Sequence, residues 1–167
     1  LNSNAIIKNI PVAEGPERII EEDDKLYVAH KGGYGVGSTV SVIPAATDVV
    51  ATTYNVAENP NSIEIENGIL YVISGGVQAW SPGDVATIGS LQQINLASGN
   101  ITSYNFPLGQ HPSNLVIEDN KIYYTIAEKV FTKDLSATTL PAQPLFSATA
   151  QGVYGIYSFA VEDGKIY

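Results

Sequence analysis

Apolar and polar residues alternate in short runs along this chain, and each run is broken within a few positions by Gly, Asn, Asp or Ser. Val, Ile, Thr and Tyr are prominent in these runs, and no long stretch keeps the spacing of an amphipathic helix. The pattern predicts an all-β protein of short strands joined by tight turns.

The runs are also copies of one another. Pro16-Glu17-Arg18-Ile19, Pro60-Asn61-Ser62-Ile63 and Pro112-Ser113-Asn114-Leu115 each lead through a short alternating run into an acidic turn, then into Leu or Ile followed by Tyr. The continuations are Glu22-Asp23-Asp24-Lys25-Leu26-Tyr27-Val28, Glu66-Asn67-Gly68-Ile69-Leu70-Tyr71-Val72 and Glu118-Asp119-Asn120-Lys121-Ile122-Tyr123-Tyr124. A fourth copy has Ile156 where the proline would stand and closes on Glu162-Asp163-Gly164-Lys165-Ile166-Tyr167. Starts at 16, 60, 112 and 156 lie 44, 52 and 44 residues apart, the length of a four-stranded propeller blade. The expected fold is a β-propeller of four-stranded antiparallel blades, here an incomplete run of about three and a half. The whole chain, 1–167, reads as a single propeller domain. It divides into the end of an upstream blade at 1–15, blades at 16–59, 60–111 and 112–155, and the start of another at 156–167.

Within a blade, strand A is predicted over 19–21, 63–65 and 115–117, and strand B over 26–29, 70–73 and 122–125. Strand C falls near 39–43, 91–95 and 130–133, and strand D near 50–55 and 101–106, with 5–10 as the lone D strand of the upstream blade. Antiparallel strands alternate direction, so the A–B and C–D turns share one face and the B–C and D–A loops share the other. Solvated turns with Asp and Asn fill the first face. The second holds the long loops 29–38, 74–90 and 109–114, with both histidines and the single tryptophan. A binding surface belongs there, because a rigid scaffold concentrates function on its loops.

The candidate ligand contacts are Trp80, Gln78, Tyr34, His30, His111 and Tyr154, with Ser81 and Tyr157 beside them. An exposed indole at Trp80 offers stacking area and one donor to a ring-shaped ligand. The recurring Tyr27, Tyr71, Tyr123 and Tyr167 are expected in the core, and the two histidines are expected at the rim.

Composition narrows the chemistry. The chain has no cysteine, which excludes disulfides, thiolate zinc sites and a cysteine nucleophile. A formal charge of −9 repels nucleic acid and anionic lipid. No apolar stretch approaches the length of a membrane span, and no signal peptide opens the sequence. Gly32-Gly33-Tyr34-Gly35-Val36-Gly37-Ser38 lacks the Gly-Lys-Ser ending of a phosphate loop and precedes no helix. His30, His111 and Asp84 lie too far apart in sequence for a readable metal site. Glu22-Asp23-Asp24 lacks the spacing and glycine of a calcium loop, and no Gly-x-Ser-x-Gly elbow is present. The expectation is a protein that is not an enzyme and needs no cofactor or metal.

The repeat resembles the YVTN family of seven-bladed propellers, whose blades carry a proline before strand A and a Tyr-Val pair in strand B, here Tyr27-Val28 and Tyr71-Val72. It is also similar to surface-exposed propeller lipoproteins of gut Bacteroidetes. Tyr123-Tyr124 and Ile156 depart from that pattern. The resemblance implies an extracellular or cell-surface binding protein, an outer-membrane lipoprotein. Its ligand would be a corrinoid such as vitamin B12, captured for an outer-membrane transporter. A protein–protein interaction scaffold without a small ligand is the alternative. Because a propeller removes its edges by closing a ring, 167 residues would be an open, aggregation-prone arc, and a longer natural protein of about seven blades is expected, with a ring completed by two such chains as the alternative.

Overall fold

A computed structural model describes residues 5–33 and 36–167. Twelve strands make three antiparallel four-stranded sheets. The first sheet contains β1 (Pro16–Glu22), β2 (Lys25–His30), β3 (Thr39–Pro44) and β4 (Thr52–Asn55), paired in that order. The second contains β5 (Pro60–Glu66), β6 (Ile69–Ser74), β7 (Ser90–Asn95) and β8 (Ile101–Asn105) in the same order. The third repeats it with β9 (Pro112–Glu118), β10 (Lys121–Ile126), β11 (Lys129–Asp134) and the two-residue β12 (Phe146–Ser147). A hairpin of β13 (Val161–Glu162) and β14 (Lys165–Ile166) opens a fourth unit. These are three full blades and part of another, with β1, β5, β9 and β13 side by side as the inner strands.

Local chemistry dictates the first hairpin of every blade. The two turn residues are Asp23-Asp24, Asn67-Gly68, Asp119-Asn120 and Asp163-Gly164, and all eight have positive φ between 49° and 72°. That is the two-residue hairpin whose twist matches its strands, and Asp, Asn and Gly tolerate it best. β1, β5 and β9 each start at their proline, three residues before the expected boundary, because a proline at a strand's first position forfeits no needed donor. The register then slips at a bulge beside Glu17, Asn61 and Asn114, which re-aims those side chains. Asn61 Nδ2 donates to the Pro112 carbonyl of the next blade at 2.9 Å, and Asn114 Nδ2 to the Ile156 carbonyl of the one after at 2.8 Å.

Period-two alternation gives every blade two apolar faces. Tyr27, Ala29, Val40 and Val42 of the first pack on Ile63, Leu70, Val72 and Ile94 of the second. The opposite face of the second presents Tyr71, Ile73, Leu91 and Phe106 to Leu115, Ile122, Tyr124 and Phe131 of the third. Tyr124 explains why the third copy carries Tyr-Tyr. Its ring stacks on Phe131 at 5.4 Å and meets Phe106 edge-on at 5.4 Å. Buried Lys133 closes the same seam, with Nζ 4.7 Å above the Tyr104 ring and donating to the Ala137 carbonyl at 2.6 Å.

Two expectations are corrected. Residues 5–10 form no strand, since a D strand needs a C strand to pair with and none stands beside them among the described residues. The segment instead borders the outward face of the first blade. Lys8 pairs with Asp48 at 3.1 Å, Lys31 N–H donates to the Gly15 carbonyl at 2.8 Å, and Val28, Ser41 and Ile43 are buried on that face. Tyr167 is 69% exposed, unlike buried Tyr27, Tyr71 and Tyr123. No described element covers it, whereas Tyr27 and Tyr71 pack against the blade after their own.

Candidate functional site

The B–C loops of the first two blades and the D–A loops meet on one face around a hollow of about 570 Å³. Lys31, Gly75, Gly76 and Trp80 line it from the B–C side, and Asn59 and His111 from the D–A side. Backbone bonds fix the two sides together. Gly75 N–H donates to the Asn59 carbonyl at 2.9 Å, Gly76 N–H to the Glu58 carbonyl at 3.0 Å, and Asn59 N–H to the Gly37 carbonyl at 2.9 Å. Gly76 sits at φ 67° with Thr87 and Ile88 backbone where a Cβ would go, so a side chain there would force the two arms of its own loop apart.

Loop 75–89 is a built excursion. Thr87 N–H donates to the Val77 carbonyl at 3.0 Å, and Val77 N–H to Thr87 Oγ1 at 2.8 Å. At the tip, Asp84 Oδ2 accepts from Trp80 N–H at 3.0 Å and from Ser81 N–H at 2.8 Å. The backbone of Trp80 is tethered while its side chain is 83% exposed. Asp84 thereby serves the turn.

His111 is half-buried, and its Nδ1 lies 2.7 Å from the Gly75 carbonyl. A carbonyl only accepts, so Nδ1 carries the proton and neutral His111 leaves Nε2 as an acceptor. Gln78, Trp80, His111 and Ser113 also border a second hollow of about 560 Å³, with Ile126, Ile156 and Tyr157 on its far side. Asn59 donates through Nδ2 to the Gly76 carbonyl at 2.7 Å, leaving a buried Oδ1 without a partner.

The structure therefore brings together Trp80, Gln78 and His111 from the expected set. Tyr157 stands at the border of the second hollow, almost wholly exposed to solvent. Tyr154 is exposed beside Gly155 but lines neither hollow. Tyr34 lies outside the described residues.

His30 is not a rim residue. Strand β2 runs one residue further than expected, pairing His30 with Thr39 and Pro16, and the ring is 1% exposed with Nε2 2.9 Å from Ser41 Oγ. Burial pushes its pKa below the ordinary imidazole value. The Ala13 backbone acts the other way, although Nδ1 finds no partner of hydrogen-bond geometry. His30 borders a separate hollow with Ala13 and Val36, away from His111.

Sequence reasoning missed Asn59 and the Gly75-Gly76 pair. Their signals were present: an asparagine at φ 59° just before a blade proline, and adjacent glycines directly after a B strand.

No family model and no curated protein matches the sequence. Solved structures match by fold. The computationally designed Ika4 protein superposes with a TM-score of 0.70 at 8% identity, over 97% of this chain and 91% of that one. BamB from Moraxella catarrhalis superposes with a TM-score of 0.59 at 11% identity, over 89% of this chain and 38% of that one. Both likenesses support the propeller fold. No helix among the described residues is long and apolar enough to cross a membrane.

Proposed function

We propose that this chain belongs to a non-catalytic binding propeller whose loop face captures a small organic ligand with a ring to lay on Trp80. One observation carries the reading: a tethered, 83% exposed indole stands between two hollows of ligand size. A rigidly held indole beside hollows lined by polar groups offers a ring a stacking surface with hydrogen-bonding partners next to it.

The YVTN-like repeat narrows the ligand in this reading to a corrinoid such as vitamin B12, taken up at the cell surface by a lipoprotein and passed to an outer-membrane transporter. Calorimetric titration with cyanocobalamin tests it. Saturable heat that Trp80→Ala weakens by about 1 kcal/mol supports it. Absence of heat at micromolar concentrations removes the corrinoid and favours the scaffold alternative.

A further inference from the structure

The geometry points to the first hollow as a saccharide site, where a neutral pyranose lies against the indole of Trp80. This rests on the loop face being the binding face, as proposed above, and not on the ligand being a corrinoid.

The donor and acceptor inventory selects the class. His111 commits its Nδ1–H to the Gly75 carbonyl at 2.7 Å, so in the neutral ring Nε2 is the acceptor. Asn59 commits its amide N–H to the Gly76 carbonyl at 2.7 Å, and its Oδ1 is buried beneath the hollow. The Gly75 and Gly76 N–H groups are taken by the Asn59 and Glu58 carbonyls. His111 Nε2 is open to a donor, while Lys31, Gln78 and the Trp80 indole, which line the same hollow, offer N–H groups, so a ligand that both gives and accepts hydrogen bonds, as a hydroxyl does, suits it.

Charge and shape narrow it further. Lys31 and Glu17 both line the hollow, and the chain carries a formal charge of −9, so no cationic cluster awaits an anion. Apart from the indole and Pro112, the lining is glycine backbone, amides, a hydroxyl, an imidazole and one charge of each sign, polar groups that an all-apolar ligand would leave unpaired. A molecule that is neutral, rich in O–H donors and flat on one C–H face satisfies these conditions together. A pyranose is such a molecule. Its axial C–H groups pack on an indole while its hydroxyls donate to Nε2 of His111 and pair with Gln78.

Trp80 is the single tryptophan of the chain, so intrinsic emission reports this site alone. Methyl β-D-galactopyranoside, methyl β-D-glucopyranoside and cellotriose should each be titrated while emission is followed, with saturation-transfer NMR as the second readout. The expected result is a saturable change with at least one of them. Trp80→Ala and, separately, Gln78→Ala should each weaken the NMR-detected binding, the first about tenfold. Both replacements sit on an exposed or half-exposed loop and leave the blade cores intact, which an unchanged circular dichroism spectrum verifies. No saturable response up to tens of millimolar in any glycoside overturns the proposal. So does binding of choline or a simple amine in place of the glycosides. Glycoside binding by a chain that ignores cyanocobalamin upholds the saccharide site and removes the corrinoid. Cyanocobalamin binding without any glycoside response does the reverse.

Discussion

Replacing Tyr124 with valine gives the third blade the Tyr-Val pair of the first two, and it should destabilise the protein. Tyr124 is 1% exposed and holds a three-ring cluster with Phe106 and Phe131, each 5.4 Å away. Valine removes about 80 Å² of buried apolar area, worth about 2 kcal/mol at about 25 cal/mol per Å². Losing two aromatic contacts adds about 0.5–1.5 kcal/mol each, and relief from desolvating the phenol returns about 1 kcal/mol. The net loss should be about 2–4 kcal/mol, a large share of the roughly 5–15 kcal/mol a domain commands. Valine is tolerated in the earlier blades because its cross-strand neighbours there are Ser41 and Gln92, whereas Tyr124 faces Phe131. Position and partner are matched within each blade. Urea unfolding followed by far-ultraviolet circular dichroism measures the difference, with near-ultraviolet circular dichroism reporting the ring cluster. A loss below about 1 kcal/mol at unchanged denaturant slope would refute the inference that this seam is held by its rings.

Three further outcomes follow from the same contacts. Asn61→Ala removes the bond to the Pro112 carbonyl at 2.9 Å and should cost about 1 kcal/mol by urea unfolding, and Asn114→Ala, whose bond to Ile156 is 2.8 Å, a similar amount. His30 has a folded pKa below its unfolded value of 6.5, so the stability it confers is present above pH 6.5 and is lost as pH falls through the folded pKa. Melting temperature should therefore drop from pH 7 downward more steeply in the wild type than in His30→Gln; equal slopes would contradict a neutral buried imidazole. Tyr27, Tyr71 and Tyr124 have pKa values raised by burial from 10.0, so their contribution is intact below pH 10 and is lost as pH rises toward the folded values. Thermal melts should show an alkaline loss that begins near pH 10 and is smaller in Tyr124→Phe.

The blade pattern was legible because the information that specifies it is local. Two turn residues with positive φ, a proline at the strand start and period-two alternation fix hairpin, register and face without reference to distant chain. What was misread depends on neighbours. Residues 5–10 have the composition of a strand but no partner strand beside them among the described residues. Tyr167 sits in a core position whose cover is not among the described residues, and His30 looked like a loop residue until pairing on both sides drew it into β2. At the site, Trp80 and His111 stood out by residue type, while Asn59 and Gly75-Gly76 matter through backbone geometry that residue type alone does not display.

The contrast between the two faces bears on where function can evolve in such a fold. On one face, all four A–B connections are the same two-residue turn, and their length leaves no room for variation without breaking the hairpin. On the other, the B–C connection runs from Lys31 to Ser38 in the first blade and from Gly75 to Gly89 in the second, yet shrinks to Ala127-Glu128 in the third. The sheet core is indifferent to these lengths because loop closure costs rise only slowly with length. The longest excursion is the one whose tip is fixed by Asp84 and whose indole is left in water. If that loop were simply tolerated length, Asp84→Ala would be silent. If it presents Trp80, the same change should free the turn, lower the fluorescence anisotropy of Trp80 and weaken ligand binding without moving the unfolding midpoint by more than about 1 kcal/mol in stability.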